Sequence, residues 1–189
     1  LHFIIGDVSD KGVPAALFMA KTVTLYTGAL NDGLTPGETL THMNQALSLN
    51  NDACMFVTAL CGTLELDSGT LVMANAGHMH PIRKSQNSSG ELIVDGGIAL
   101  GLMEDAEYAN ITHQLAPQTS LLMYTDGISE AFNTRKEQYE EERLLALVEQ
   151  AMDRSAEALG TATLTDVEKF VDDAEQSDDI TLMVIHYGH

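Results

Sequence analysis

Two β-rich runs joined by a three-residue turn constrain the fold of this chain more than any other feature. Residues 55–66 and 70–76 flank Asp67-Ser68-Gly69, a linker that reads as a hairpin turn and so makes the two runs antiparallel neighbours. A second hairpin is predicted where 82–85 and 91–94 flank Asn87-Ser88-Ser89-Gly90. Further strands are predicted over 108–115 and 120–124, with Pro117 between them, and over 180–187 as a buried strand. Strands interleaved with antiparallel turns and flanked by helical stretches imply an α+β protein rather than a doubly wound parallel sheet.

Four helices are predicted around these strands. The first spans 13–30, with Val13, Ala16, Leu17, Ala20, Thr24 and Thr27 on one stripe whose small residues suit close packing on a sheet. Asn31-Asp32-Gly33 ends it. Thr35-Pro36-Gly37-Glu38 announces the second as a capping box with proline in the first turn, and Leu40, Met43 and Leu47 form its apolar face. The third covers 139–152 with Leu144, Leu145 and Val148 inward, and the fourth 164–174 with Val167, Phe170 and Val171. Glu140-Glu141-Glu142 reads as a solvated helix start that suits the dipole. Methionines 19, 43, 55, 73, 103, 123 and 183 read as core filler.

The chemistry-bearing feature is an aspartate placed at a strand end. The apolar run 3–5 reads as a buried strand that stops at Gly6-Asp7, followed by a polar turn and Pro14 at a helix start. Known phosphate and metal loops do not fit this stretch. Lys11 precedes Gly12 with no P-loop serine or threonine after it, and only two of the three dinucleotide-fingerprint glycines are present. Counted from Asp7, the bidentate glutamate of an EF-hand falls on Phe18. Taken alone, Asp7 suits a turn or capping role slightly better than a ligand role. Asp126, however, also follows a predicted strand, and Asp178 and Asp179 precede one. Strand ends at one edge of a sandwich can converge, and an oxygen-only ligand set selects Mg²⁺ or Mn²⁺ over zinc. Two such ions about 3.5–4 Å apart can share a hydroxide and clamp a phosphoryl group.

Composition narrows the partners. With 9 basic against 28 acidic residues the net charge is −19, which disfavours nucleic acid and anionic membrane surfaces. At 189 residues the simplest reading is one domain. No apolar run approaches the roughly 20 residues of a membrane span, and no signal peptide is visible. Cys54 and Cys61 read as reduced thiols of a cytoplasmic protein, seven residues apart on one strand-like run and facing opposite sides. Asn87-Ser88-Ser89 and Asn110-Ile111-Thr112 match glycosylation sequons but mean little without a secretion signal. The chain starts inside an apolar run without an initiating methionine, so a fragment truncated at its N-terminus is expected.

Five ordered blocks carry a resemblance over nearly the whole chain. They are Gly6-Asp7-Val8-Ser9 with Lys11-Gly12-Val13-Pro14-Ala15-Ala16-Leu17, then Met55-Phe56-Val57-Thr58-Ala59, then Asn75-Ala76-Gly77-His78. Tyr124-Thr125-Asp126-Gly127-Ile128-Ser129-Glu130-Ala131 and Asp178-Asp179-Ile180-Thr181 follow. Together they strongly resemble the bacterial PP2C-type serine/threonine phosphatases of the SpoIIE/RsbU group. The resemblance implies two antiparallel sheets stacked face to face with helices outside, an α-β-β-α sandwich, and two Mn²⁺ or Mg²⁺ ions at the sheet edge. Asp7 would bridge both ions and the Val8 carbonyl would complete the second site. Asp126 and Asp178 would hold the first ion, with Asp179 as the secondary candidate because the family's ligand is the first residue of its Asp-Asp or Asp-Asn pair. Attack by a metal-bound hydroxide, without a phosphoenzyme, is implied. The implied substrate is a phosphoserine or phosphothreonine on a STAS-type anti-sigma-factor antagonist. An upstream sensor or receiver domain is implied, and a homodimer is left open.

Two departures from the family pattern bear on the site. Its Gly-Gly-Asp-Phe-Tyr-Asp segment, which supplies another metal aspartate, is absent, so the second metal site looks incomplete in this sequence. Position 9, where eukaryotic relatives carry a proposed general-acid histidine, is Ser9, so the leaving group would be protonated by water or from elsewhere. Among weaker candidates, His78 reads as a structural hydrogen-bonder ahead of a phosphate contact, His80 is weaker still, Lys11 reads as solvated, and Glu130 as a brace for the loop after Asp126. The alternative is a catalytically silent PP2C-like module that binds a partner. A calcium-binding module lacks a supporting loop.

Overall fold

The computed structural model describes residues 1–188. In chain order the elements are β1 (His2–Val8), α1 (Val13–Asn31), α2 (Pro36–Ser48), β2 (Val57–Leu64), β3 (Thr70–Ala76), β4 (Ile82–Lys84) and β5 (Ser89–Glu91). They continue with β6 (Ile111–Gln114), β7 (Thr119–Tyr124), α3 (Asp126–Ser129), α4 (Glu141–Gln150), α5 (Ala156–Val171) and β8 (Leu182–Tyr187). Every strand pair among the described residues is antiparallel. The α+β class predicted from the hairpins therefore holds.

The elements fall into two units. The first comprises Leu1–His78 with Val94–Gln114, and the second Met79–Ile93 with the chain from Leu115 onward. The sheet of the first unit runs β1-β2-β3-β6. Its core gathers Leu40, Met43 and Leu47 of α2 against Val57, Ala59 and Cys61 of β2 and Ala74 and Ala76 of β3. The α2 capping box is formed as predicted, with the Thr35 amide donating to Glu38 Oε2 at 2.9 Å. The Thr35 hydroxyl, which donates to the same oxygen at 2.7 Å, and then the amide keep the Glu38 carboxyl below its usual range.

α1 corrects two sequence expectations. The stripe predicted to pack on the sheet is the exposed one, with Val13 73% and Leu17 67% exposed. The helix instead turns Thr22 and Ala29 inward and packs the partly buried Phe18, Leu25 and Tyr26 against the core. Apolar residues lie on both faces of α1, so helical spacing alone fits either stripe. The larger side chains win because they remove more apolar area from water. With 19 residues and a mean hydropathy of 1.2, α1 is also long and apolar enough to cross a membrane by length and composition, contrary to the reading that no segment is. Here it is a packed element of the first unit.

In the second unit the sheet runs β5-β4-β7-β8. Its core joins Leu122 and Tyr124 of β7 to Leu144 and Val148 of α4 and Val167 of α5. Arg143 of α4 fastens the two helices. Its Nε donates to Asp166 Oδ2 at 2.8 Å, Tyr139 Oη donates to the same oxygen at 2.7 Å, and the guanidinium lies over the Tyr139 and Phe170 rings. The Arg143 bond holds the Asp166 carboxyl below its usual range. This contribution to stability is present above the ordinary aspartate pKa and lost as pH falls through the depressed value.

Boundaries differ where tertiary packing outweighs local preference. α5 starts eight residues before the predicted 164, capped by Ser155, whose Oγ accepts from the Ala158 amide at 3.3 Å. Gly160 and three threonines weaken its local helical signal, but Leu159, Thr163 and Val167 are buried along it. β5 forms earlier than predicted because Ser85 and Ser88 close the turn, the Ser85 amide donating to the Ser88 carbonyl at 2.8 Å. β8 is mostly half-buried rather than buried. Met43, Met55, Met73 and Met123 are core residues as expected, whereas Met19 and Met103 are exposed.

The cysteines also differ from the single-strand reading. Cys54 precedes β2 and is exposed, while Cys61 is buried within it, and both are free. Burial pushes the Cys61 thiol up to about 12. A thiol-reactive dye at pH 8 is expected to label one cysteine per folded chain, Cys54, and a second only on unfolding. In urea titrations, Phe18→Ala is expected to cost about 1–3 kcal/mol and Leu17→Ala under about 0.5 kcal/mol. Equal losses would refute the assigned face of α1.

Candidate functional site

In the first unit, close approach of β1 to β2 positions Asp7. A Cβ at Gly6 would fall 2.6 Å from the Thr58 carbonyl oxygen, so glycine is what lets the two backbones meet at this level. β1 does not stop at Gly6-Asp7 as predicted. Pairing continues through Asp7 opposite Thr58 and Val8 opposite Val57. Beyond the strand, the Ser9 amide donates to the Phe56 carbonyl and the Phe56 amide donates to Ser9 Oγ, both at 2.9 Å. The Ser9 hydroxyl is thus engaged in holding the chain that leaves the strand.

Thr58, directly across from Asp7, shares a hydrogen bond of 3.0 Å with His78 Nδ1. His78 is buried and fixed by Asn75, whose Oδ1 accepts from the His78 amide at 2.8 Å. Asn75 Nδ2 donates in turn to the carbonyls of His78 and Val94. This is the structural histidine that the sequence suggested. Thr58 and Asn75 were not singled out from sequence, although both lie inside the matching blocks.

In the second unit, a clasp made by Thr125 draws two aspartate segments together. Its amide donates to the Thr181 carbonyl at 3.1 Å, and its hydroxyl accepts from the Thr181 amide at 3.1 Å. The same hydroxyl donates to the Asp179 carbonyl at 3.2 Å. Asp126 follows as the first residue of α3, a short helix not predicted from sequence, and is half-buried. A methyl group at Gly127 would run into the Asp179 carbonyl, so the turn after Asp126 lies hard against the Asp178-Asp179 segment. Asp178 is exposed and accepts the Asp179 amide at Oδ1 (2.8 Å), while its carbonyl accepts from Gln176 Nε2 at 2.7 Å. Glu130 is exposed, and its amide rather than its carboxylate ties the α3 turn, donating to the Asp126 carbonyl at 2.7 Å.

The structure thus gathers the Asp126 and Asp178-Asp179 segments within one unit, and sets Asp7 and Val8 at a strand end of the other. Carboxylates and a carbonyl are the donor chemistry of Mg²⁺ or Mn²⁺. Among the described residues, no group of three histidine, cysteine, aspartate or glutamate side chains is arranged to hold an ion. The donors fit such a cation in kind.

Structures of PP2C domains match this fold. The SiaA-PP2C domain of Pseudomonas aeruginosa aligns with a TM-score of 0.82 at 21% identity, covering 98% of this chain and 75% of that one. The PP2C phosphatase domain of SpoIIE from Bacillus subtilis, solved with a fragment of its regulatory domain, gives 0.82 at 16% identity, covering 98% and 54%. The fold is therefore of the PP2C phosphatase type. By sequence, residues 1–188 match the family described as Stage II sporulation protein E, and the chain belongs to this SpoIIE family. The phosphoserine phosphatase RsbU of Bacillus subtilis (strain 168) is 27% identical over 186 residues. The alignment covers 98% of this chain, which spans about half the length of RsbU, 55%.

Gly127→Ala is expected to lower the melting temperature and to displace Asp126, since the Asp179 carbonyl must move to admit the methyl group. Thermal unfolding and a crystal structure of the variant check this. An unchanged Tm with Asp126 in place would refute the close approach.

Proposed function

We propose that this chain is the catalytic domain of a metal-dependent protein phosphatase that hydrolyses phosphoserine or phosphothreonine on a STAS-type regulatory protein in the cytoplasm. The observation that carries the reading is the Thr125 clasp, which holds Asp126 and the Asp178-Asp179 segment together at strand ends. Family membership over residues 1–188 supports it, as does the likeness to a protein named a phosphoserine phosphatase.

Asp7, the Val8 carbonyl, Asp126 and Asp178 are the residues that would hold two Mn²⁺ or Mg²⁺ ions. Bound ions would supply Lewis acidity toward a phosphoryl oxygen and toward the attacking water. The chain's own part is to fix its carboxylates before substrate arrives, through the β1–β2 pairing around Asp7 and the Thr125 bonds beside Asp126. The reaction exchanges the P–O bond to serine for one to water, without a phosphoenzyme, and leaves a serine hydroxyl and inorganic phosphate. Ser9 is held by Phe56, so the proton for the serine oxygen comes from water in this proposal. A regulatory domain is proposed to act through α1, which begins five residues after Val8.

One observation favours a second reading, a silent partner-binding domain: no three ligand side chains gather among the described residues. The test is Mn²⁺-dependent phosphate release from a phosphoserine STAS-type protein, in this chain and in an N-terminally extended form. Asp126→Ala is expected to lower the rate at least about 100-fold, since a lost ligand removes the ion's contribution to phosphoryl transfer. Substrate binding without turnover in either form would establish the partner-binding reading instead.

A further inference from the structure

The second unit contains a cavity of about 120 Å³ that the proposed chemistry does not use. α3, α5 and the segment leading into β8 form it, with Gly127, Phe132, Val167, Val171 and Ile180 supplying most of an apolar lining. Gly127 follows Asp126 directly and Ser177, also in the wall, precedes Asp178. Both aspartate segments of this unit therefore border the cavity. Its only acidic wall residues are Glu168 and Glu175, both exposed to solvent.

The geometry points to a specificity pocket that takes an apolar side chain of the phosphoprotein substrate, one to three residues from the phosphorylated residue and next to a lysine or arginine. This inference rests on the phosphatase reading and names the substrate feature that the site selects. At about 30 Å³ per water-sized group, the cavity holds roughly four heavy atoms, the size of a leucine side chain. An extended peptide advances about 3.3 Å per residue, so a side chain close in sequence to a phosphoserine at the aspartates reaches the adjoining wall. Phe132, an aromatic 38% exposed at the cavity, gives an incoming side chain a rigid apolar surface. Glu168 and Glu175, in a chain of net charge −19, favour a cationic neighbour over an acidic one.

The test uses phosphoserine peptides with leucine placed in turn at each of three positions on either side, against an all-alanine reference, with and without a flanking lysine. Binding is read by fluorescence anisotropy and turnover by Mn²⁺-dependent phosphate release, with p-nitrophenyl phosphate as a substrate that lacks side chains. Leucine in one register is expected to tighten binding about tenfold over alanine. Phe132→Ala and, independently, Val171→Ser are expected to reduce that ratio below about threefold. Glu168→Gln with Glu175→Gln is expected to remove the lysine preference while leaving the leucine preference. Thermal melts confirm that each variant is folded, and Phe132, being partly exposed, is the variant least exposed to failure on that account. Hydrolysis of all peptides with equal affinity for leucine and alanine overturns the pocket and leaves the phosphatase reading standing. A leucine preference that depends on Phe132, when neither this chain nor its N-terminally extended form hydrolyses the peptides or p-nitrophenyl phosphate, supports the pocket and overturns the phosphatase reading. A preference that persists in both pocket variants places the leucine elsewhere and overturns the inference.

Discussion

The backbone pairing of β7 is the constraint on which the second unit depends. It pairs with β4 on one side and β8 on the other, and all six of its residues are buried. A strand so enclosed has one available register, because a slip of one residue would exchange its two faces against the core. That register fixes where the strand ends, hence where Thr125 stands and what it can reach. The Thr125 bonds to Thr181 and Asp179 extend the β7–β8 pairing beyond the strands themselves. Asp126 inherits its place from this framework. The same extension brings the Asp178-Asp179 segment against Gly127, so the two carboxylate segments are positioned by one ladder rather than by two mobile loops.

The first unit meets an equivalent demand by close backbone approach. Gly6 lets β1 lie tight on β2 just before Asp7, and Thr58 opposite Asp7 is held by His78, itself locked by Asn75. The His78 amide and Nδ1 each have a partner, which lowers the cost of burying a histidine beside a strand end. In both units, then, the aspartate proposed as a metal ligand is flanked by a glycine that permits contact and a threonine that supplies a hydrogen bond. A carboxylate held in this way loses little freedom on binding a ligand, and preorganisation of this kind is what charge-stabilising sites require.

Legibility from sequence followed the strength of the local signal. The Asp67-Ser68-Gly69 hairpin, the Thr35–Glu38 capping box and the inward Leu40, Met43 and Leu47 were all readable, because turn chemistry, capping and a one-sided apolar stripe are local properties. The ordered blocks also identified the family. α1 misled because it carries apolar residues on both faces, and its burial is decided by what α2 and β2 present to it. The start of α5 was hidden because Gly160 and its threonines weaken the helical signal that Leu159 and Val167 restore by packing. Thr125, Thr58 and Asn75 escaped notice as individuals, since a buried polar residue is distinguished only by the partner it finds.

By itself, the amino-acid sequence determined the antiparallel α+β character, the acidic balance, the family and the aspartates worth testing. The first two follow from period, turn residues and composition, and the family and its aspartates from the resemblance carried by the ordered motif blocks; none needs knowledge of distant contacts. Only the tertiary structure decided which face of α1 is covered, how Thr125 clasps the Asp178-Asp179 segment, and that an apolar cavity lies beside it. Those features arise between residues about 50 positions apart in the chain, as Thr125 and Asp179 are. Their energies depend on exclusion of water and on hydrogen-bond geometry, neither of which is encoded in the order of residues along one segment.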